Sequence, residues 1–409
     1  MQPGPASKLQ VISIGFLIVG NLIGAGILAL PINTGLAGFI PSLIGLFVTS
    51  AAMYYSAIIL SRESVAYRDK TFNYPSLYRL YLGSAGKWIA IIANLIILYG
   101  LLTAYLTGIT TIVGNLLHLT IDPVWVMLGF FVIATLISMA GMVNLEKYIA
   151  LLVVLKCLVF VVIVMLAGGH IQSQHLMHHH WPFLIAGIPI LVTAFHFHNI
   201  IPAICETLRW DMRVIGKTML IGMALGFVMN ATWLMVGIGV LPLDDSSIGL
   251  VNAFLKNLPA TVPLAEAIDS RLFLVFAMFF AMVAITTAYL ANGLGLIGFM
   301  DDLTTQQFGK SNPFLSRALA FAPPLVIALV YPDIFLKAID FAGGFGIVTL
   351  FGILPSVIAI RKAQSSSQKV LGYVMLLLFS GFFILETAQE FGMLRVSPNV
   401  ESWQHPSHS

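Results

Sequence analysis

Gly20-Asn21-Leu22-Ile23-Gly24-Ala25-Gly26 interrupts an apolar run from Leu9 to Asn33, and Phe195-His196-Phe197-His198-Asn199 interrupts another from Phe183 to Cys205. Pro31 follows the first interruption and Pro202 the second. An unpaired N–H or C=O in hydrocarbon is too unfavourable to face lipid, so broken backbone at that depth lines an internal cavity. Two such breaks at matching places are the sequence mark of a binding site at mid-membrane in a secondary transporter.

The rest of the chain agrees. Of 409 residues, 59% are apolar and 9% charged, where a soluble domain carries roughly 25% charge. A water-soluble enzyme is excluded, because its solvated surface could not be built. A hydrocarbon core of about 30 Å needs ~20 apolar helical residues, and eleven windows come close to or exceed that. The first five are Leu9–Asn33, Gly38–Ser61, Trp88–Leu117, Pro123–Met142 and Tyr148–Gly168. The next six are Phe183–Cys205, Val214–Leu241, Leu272–Met300, Ala318–Tyr331, Ala338–Ile360 and Val370–Leu385. The expectation is an all-α polytopic integral membrane protein with 11 transmembrane helices in a single domain over 1–409. Repeat one covers about 9–168, repeat two about 183–360, and an extra helix about 370–390. Each repeat opens with an interrupted helix.

Of the 20 cations, fifteen fall in loops on the side of Lys8, four (Lys256, Arg271, Lys337, Arg395) on the other, and Lys156 in neither. The excess places the N-terminus in the cytoplasm and, with an odd number of spans, the C-terminus in the periplasm. Net charge is +3, which gives no footprint for nucleic acid. The run after Lys8 continues too far to be a cleaved signal peptide. Between windows, 64–86 reads as a short interfacial helix and 244–270 as a helical cap over the periplasmic vestibule.

Free backbone groups define the proposed chemistry. Asn21, Gly24, Ala25 and Gly26 open the second half of the first broken helix, whose N–H groups and positive dipole end seat a carboxylate. Across the cavity, the first half of the sixth window ends near Phe195, His196, Phe197, His198 and Asn199, offering carbonyls to an ammonium group. A zwitterion fits between them without any charged side chain, so the expected ligand is an α-amino acid. Gly222 and Gly226 in the seventh window are read as packing glycines.

At these residues the chain resembles the hydroxy and aromatic amino acid permease family. The resemblance rests on Gly24-Ala25-Gly26 with Leu30-Pro31, Ile188-Pro189 leading to Phe195 and Phe197-His198, and Ile201-Pro202. Further matches are Tyr99, Thr103-Ala104-Tyr105, Lys156 and Tyr331-Pro332. It implies a leucine-transporter type of fold with five plus five inverted repeats. It also implies proton symport of an aromatic amino acid across the bacterial inner membrane, with tyrosine expected and tryptophan or serine/threonine as alternatives. His196 and Asn199 stand where relatives tend to carry glycine, adding bulk and hydrogen-bonding groups at the pocket.

Lys156 lies about eight residues into its window, ~12 Å deep at 1.5 Å per residue, too deep for easy snorkelling. An ammonium there can exchange a proton during a transport cycle. It is expected near the carbonyls of Gly20 and Ile23 and the hydroxyls of Thr286 and Thr287, where related transporters hold a sodium ion. Tyr99 and Phe197 are expected to stack on the substrate ring. Asp340 is read as a cap, Asp301 and Asp302 as awaiting a loop cation, and Glu206 with Arg209 as part of an inner gate. His175, His178, His179 and His180 lack the fixed geometry of a metal site, and Cys157 and Cys205 lack redox spacing. No metal, cofactor or obligate protein partner is expected: the partners are the amino acid, protons and the lipid bilayer. No carboxylate, thiol or metal constellation of an enzyme and no continuous polar lining of a channel is visible.

Overall fold

The computed structural model describes residues 7–68, 73–117, 121–139, 142–394 and 396, with Ala25 and residues 142–150 described by backbone alone. The chain is helical, with no strand among the described residues. The first broken helix is α1 (Lys8–Leu22) and α2 (Ala25–Gly35), followed by α3 (Phe39–Ala66), α4 (Tyr74–Leu116), α5 (Pro123–Met139) and α6 (Met142–Gly168). A connector with α7 (Ser173–Met177) leads to the second broken helix, α8 (Leu184–Thr193) and α9 (Ile201–Thr207), then α10 (Met212–Val240). Two short helices, α11 (Leu250–Leu255) and α12 (Thr261–Ile268), precede α13 (Arg271–Phe308) and α14 (Pro313–Val330). The chain closes with α15 (Phe335–Phe341), a π-helical stretch over Ala342–Ile353, α16 (Leu354–Lys362) and α17 (Ser366–Glu390).

Among the described residues, nine helical segments are long and apolar enough to cross a membrane, and α1 with α2, bent by 50° at their junction, make a tenth. The fourth sequence window appears as α5, a shorter apolar helix of 17 residues. The segment spanning α8 and α9 and the one running from α15 to α16 are innermost, each with 72% of its apolar window buried, against 22% for α17. The second broken helix is thus sheathed by other helices, as unpaired backbone requires.

Glycine sets how closely the helices approach. A Cβ on Gly222 would lie 2.9 Å from Ile18, one on Gly226 2.3 Å from Leu22, and one on Gly237 2.3 Å from Pro31. So α10 follows both halves of the first broken helix through three glycine notches, as small residues permit where lipid offers no hydrophobic drive to associate. The packing role read for Gly222 and Gly226 holds. Gly38, at φ 91, turns the chain where no side chain fits, its would-be Cβ only 2.0 Å from the His178 carbonyl oxygen. His180 donates its N–H to Ala37 O at 2.8 Å, clipping the connector before α8 to the end of α2.

The two expected loop helices exist in altered form. The first is the opening arm of α4, which buries Leu77 and Tyr78 before the chain turns at Gly83 (φ 68). It therefore packs inward and does not lie flat on a surface, while residues 69–72 of that loop are outside the described residues. The second is α11 and α12, docked on α2 through the N–H of Ala260 bonded to Leu28 O at 2.7 Å.

Candidate functional site

α1 ends where Ile23 donates to Val19 O at 2.9 Å, and Gly24, extended at φ −94 and ψ −153, starts α2 with no side-chain cap. The first N–H groups of α2 have no helical acceptor, a general property of helix starts. In the second broken helix, α8 ends at Thr193, and the carbonyls of Ala194, Phe195 and His196 accept no backbone hydrogen bond among the described residues. The breaks adjoin: a Cβ on Gly26 would sit 3.6 Å from Thr193 Cγ2 and 3.7 Å from Ala194 N and Cα. Donors at the start of α2 therefore lie beside acceptors at the end of α8.

Lys156 is fully buried, and its Nζ donates to Gly20 O at 3.0 Å and to Thr287 Oγ1 at 3.4 Å. Gly20 permits this because α6 lies against it, with Val153 2.7 Å from where a Cβ would be. Gly24 faces Ala288, the neighbour of Thr287, at 3.7 Å. Of the four groups expected around the ammonium, Gly20 and Thr287 are brought to it, and no bond joins it to Ile23 O or Thr286. Asn21 donates to Leu17 O at 3.0 Å within its own helix.

Aromatic rings hold the second break. Phe195, Phe197 and His198 are fully buried and His196 nearly so. The imidazoles of His196 and His198 are almost parallel, and both lie against Phe351 of the π-helical stretch, with centroids 5.2 and 5.0 Å away. One nitrogen of His198 pairs with Met53 O of α3 at 3.2 Å, while Tyr74 donates its hydroxyl to His198 O. Asn199 points outward and is exposed. Tyr99 is also not brought to the breaks; its hydroxyl donates to Leu319 O of α14 at 2.7 Å. Two open clefts lie away from the breaks, one of about 440 Å³ by Tyr54, Arg62 and Arg213 and one of about 740 Å³ by Asn115, Asp122 and Asp333.

Sequence reasoning missed several participants. Asn230 of α10 is fully buried with neither amide atom hydrogen-bonded among the described residues. It lies one turn after Gly226 and a heptad before Gly237, on the α10 face that meets α1 and α2. A lone asparagine in an apolar window was a usable signal. Glu63 of α3 accepts from Tyr81 at 2.6 Å and from Lys362 at 2.8 Å, tying α3, α4 and α16 together.

Two expectations about carboxylates are corrected. Asp340 caps nothing: both its carboxylate oxygens accept from Asn33 Nδ2 at 2.8 Å. Asp301 takes hydroxyls, not a cation, from Ser311 at 2.7 Å and Ser316 at 3.2 Å. His175, His178 and His179 each turn to a different backbone carbonyl, and no cluster able to hold a metal exists among the described residues.

Two interrupted helices meeting inside a sheath of membrane-long helices define a multi-pass membrane transporter. The chain belongs to the tryptophan/tyrosine permease family, whose sequence model matches residues 8–390, so it is a permease and not an enzyme. It is 29% identical to tyrosine-specific transport system 1 of Haemophilus influenzae, over 80% of this chain and 82% of that protein. It is 24% identical to a tryptophan-specific transport protein of Shigella flexneri, over 80% and 81%. In fold it is similar to a manganese transporter of Eremococcus coleocola, with a TM-score of 0.61 at 14% identity, covering 97% of this chain and 90% of that one.

Proposed function

We propose that the chain is a secondary active transporter that imports an aromatic amino acid, tyrosine first, by proton symport with alternating access. The bundle then counts eleven spans, α5 included, as five plus five inverted repeats of the leucine-transporter type with α17 added. The face bearing Lys8 lies in the cytoplasm of a bacterial cell, and the face bearing Gly38 and the C-terminus lies in the periplasm. The observation that carries this reading is the approach of Gly26 to Thr193 and Ala194, which sets free N–H groups beside free carbonyls. The α-carboxylate binds the start of α2 at Gly24, Ala25 and Gly26, and the α-ammonium binds the carbonyls of Ala194, Phe195 and His196. Phe195, Phe197, His196 and His198 surround the substrate ring, and Asn230 adds a donor and an acceptor from α10.

Lys156 is the coupling group. Its ammonium crosslinks Gly20 O on α1 to Thr287 on α13, and loss of its proton to the cytoplasm frees α1 from α13. One proton crossing 100 mV supplies ~2.3 kcal/mol, roughly a fifty-fold accumulation. Glu63, Lys362 and Tyr81 latch the cytoplasmic ends of α3, α4 and α16 while the path on that side is shut. Tryptophan is the second reading, favoured by the tryptophan-specific relatives. In proteoliposomes with an imposed pH gradient, labelled tyrosine should accumulate, saturate and be displaced by aromatic amino acids alone among the twenty. Accumulation driven equally well by a sodium gradient at constant pH overturns the proton coupling, and displacement by serine overturns the substrate class.

A further inference from the structure

The Gly38 face carries a group of polar side chains that the proposed transport cycle leaves unused. Asn33, in the last turn of α2 and fully buried, meets Asp340 of α15 across 307 residues of sequence. A single amide nitrogen serves both carboxylate oxygens at 2.8 Å, and the amide oxygen of Asn33 is buried without a donor among the described residues. An ionised carboxylate has nothing to donate to that oxygen. A carboxylic acid has, since an acid and a primary amide are complementary: O–H to Oδ1 in one direction, N–H to the carboxyl oxygen in the other. A small rotation of either head group converts the observed one-donor chelate into that reciprocal pair.

A second carboxyl group lies alongside. Glu386 of α17 is 5% exposed, and its side chain fills the notch left by Gly344, with Cγ 2.5 Å and Oε1 3.1 Å from where a Cβ would be. Gly344 follows Asp340 by four residues and so lies one turn further on the same helix face. Glu386 acts on Asp340 electrostatically, and Glu390 and the exposed Lys337 act on it more weakly. No cation is within ion-pairing distance of either among the described residues. Among the described residues, no other charged group acts on either of them. Tyr99 and Tyr105 of α4 are engaged with Leu319 O and Asn292, α8 brings only Thr193 and backbone, and Gln389 turns to Ile185 O.

We propose that Asn33, Asp340 and Glu386 form a proton-binding site on the Gly38 face, separate from Lys156, in which one proton held by the two carboxyl groups closes the clasp between α2 and α15. The proton satisfies the orphaned amide oxygen and removes the repulsion between two buried anions, which share one proton more readily than both ionise. Because α2 runs from this clasp to the helix break, proton occupancy at one end of α2 bears on the position of Gly24–Gly26 at the other. α2 is seated against α8 as well, with Gly187 leaving room for Thr34 at 2.6 Å. The site goes beyond the coupling assigned to Lys156 and stands if another ion drives transport.

The test is a pH titration of the carboxylic-acid C=O stretch by infrared difference spectroscopy on purified protein in bilayers. The comparison is wild type, Asp340→Asn, Glu386→Gln and Lys156→Ala. A protonated-carboxyl band that titrates in wild type and Lys156→Ala, and is lost or displaced in both acid variants, is the expected result. Asp340→Asn should also flatten the dependence of tyrosine uptake on external pH while retaining tyrosine exchange. Spectra identical in wild type and both acid variants overturn the site. So does a band that answers to added sodium or potassium at fixed pH, which assigns the carboxyls to a metal cation. If Asp340→Asn fails to elute as a folded protein, Glu386→Gln and the native spectrum decide alone. Failure of the Lys156 role would appear separately, as proton-driven accumulation by Lys156→Ala with this band intact.

Discussion

The two broken helices solve one problem by different means. The first is open by composition: Gly20, Gly24 and Gly26 remove side chains where Val153, Ala288 and Thr193 approach, and a single buried ammonium spans from Gly20 O to Thr287. The second is open by support. Tyr74 bonds its backbone at His198 O, Met53 O pairs with the His198 imidazole, and Phe351 packs on the rings of His196 and His198, so residues from three other segments shut around it. A glycine-made break is carried in its own sequence, whereas a braced break depends on the whole bundle. Substitutions in the first should therefore act on transport with the fold intact, and substitutions around the second should act on stability and transport together.

The largest expected effect is at Lys156. Lys156→Ala should abolish concentrative uptake, bringing a ratio of roughly fifty-fold per 100 mV down to unity, while counterflow exchange persists. Gly26→Leu comes next. Space for a methyl group exists, since the nearest atoms stand 3.6 Å or more from a Cβ, so Gly26→Ala should transport well. The leucine must push α2 off α8, and overpacking of ~1–3 kcal/mol corresponds to about 5- to 150-fold in apparent affinity. Equal affinities for glycine and leucine variants would show that the breaks do not meet.

Tyr74→Phe probes the braced break. Removing the hydroxyl that serves His198 O should lower stability by about 0.5–1.5 kcal/mol, read as a lower melting temperature in detergent with uptake reduced in proportion. A variant with native melting and reduced uptake would move Tyr74 from bracing to substrate contact. The smallest effect concerns the connector joining the two broken helices. Burial, with His179 and His180 nearby, holds His178 below its ordinary value, outweighing its bond to Leu36 O. Its folded value lies below the unfolded one of about 6.5, so its stabilisation is present above that pH and lost as pH falls through the folded value. Backbone hydrogen exchange at Gly38 and His180, corrected for intrinsic rates, should rise on acidification in wild type and less in His178→Gln.

Legibility followed the same divide. Both breaks, the buried Lys156 and the packing role of Gly222 and Gly226 could be read from sequence, because each is a polar or glycine signal against an apolar background, whereas the neighbours of Lys156 were expected from the family resemblance and two of the four, Gly20 and Thr287, meet it. The orientation of Tyr99 could not. A helix apolar on every side gives no periodicity from which to read its inward face, and Tyr99 turned to α14. Asn33 with Asp340 and Glu63 with Lys362 join positions some 300 residues apart, and nothing local to either residue announces its partner. Asn230 was passed over, although it is the one asparagine in its apolar window.

The central claim is that the start of α2 and the end of α8 clasp one amino acid between them. Cysteines at positions 26 and 194, in a chain whose Cys157 and Cys205 are replaced by alanine, test it by oxidative crosslinking in bilayers. A crosslink that forms readily without substrate and is suppressed by saturating tyrosine or tryptophan, but not by glycine, is predicted. A crosslink that never forms, or forms equally fast at every concentration of every aromatic amino acid, would contradict it.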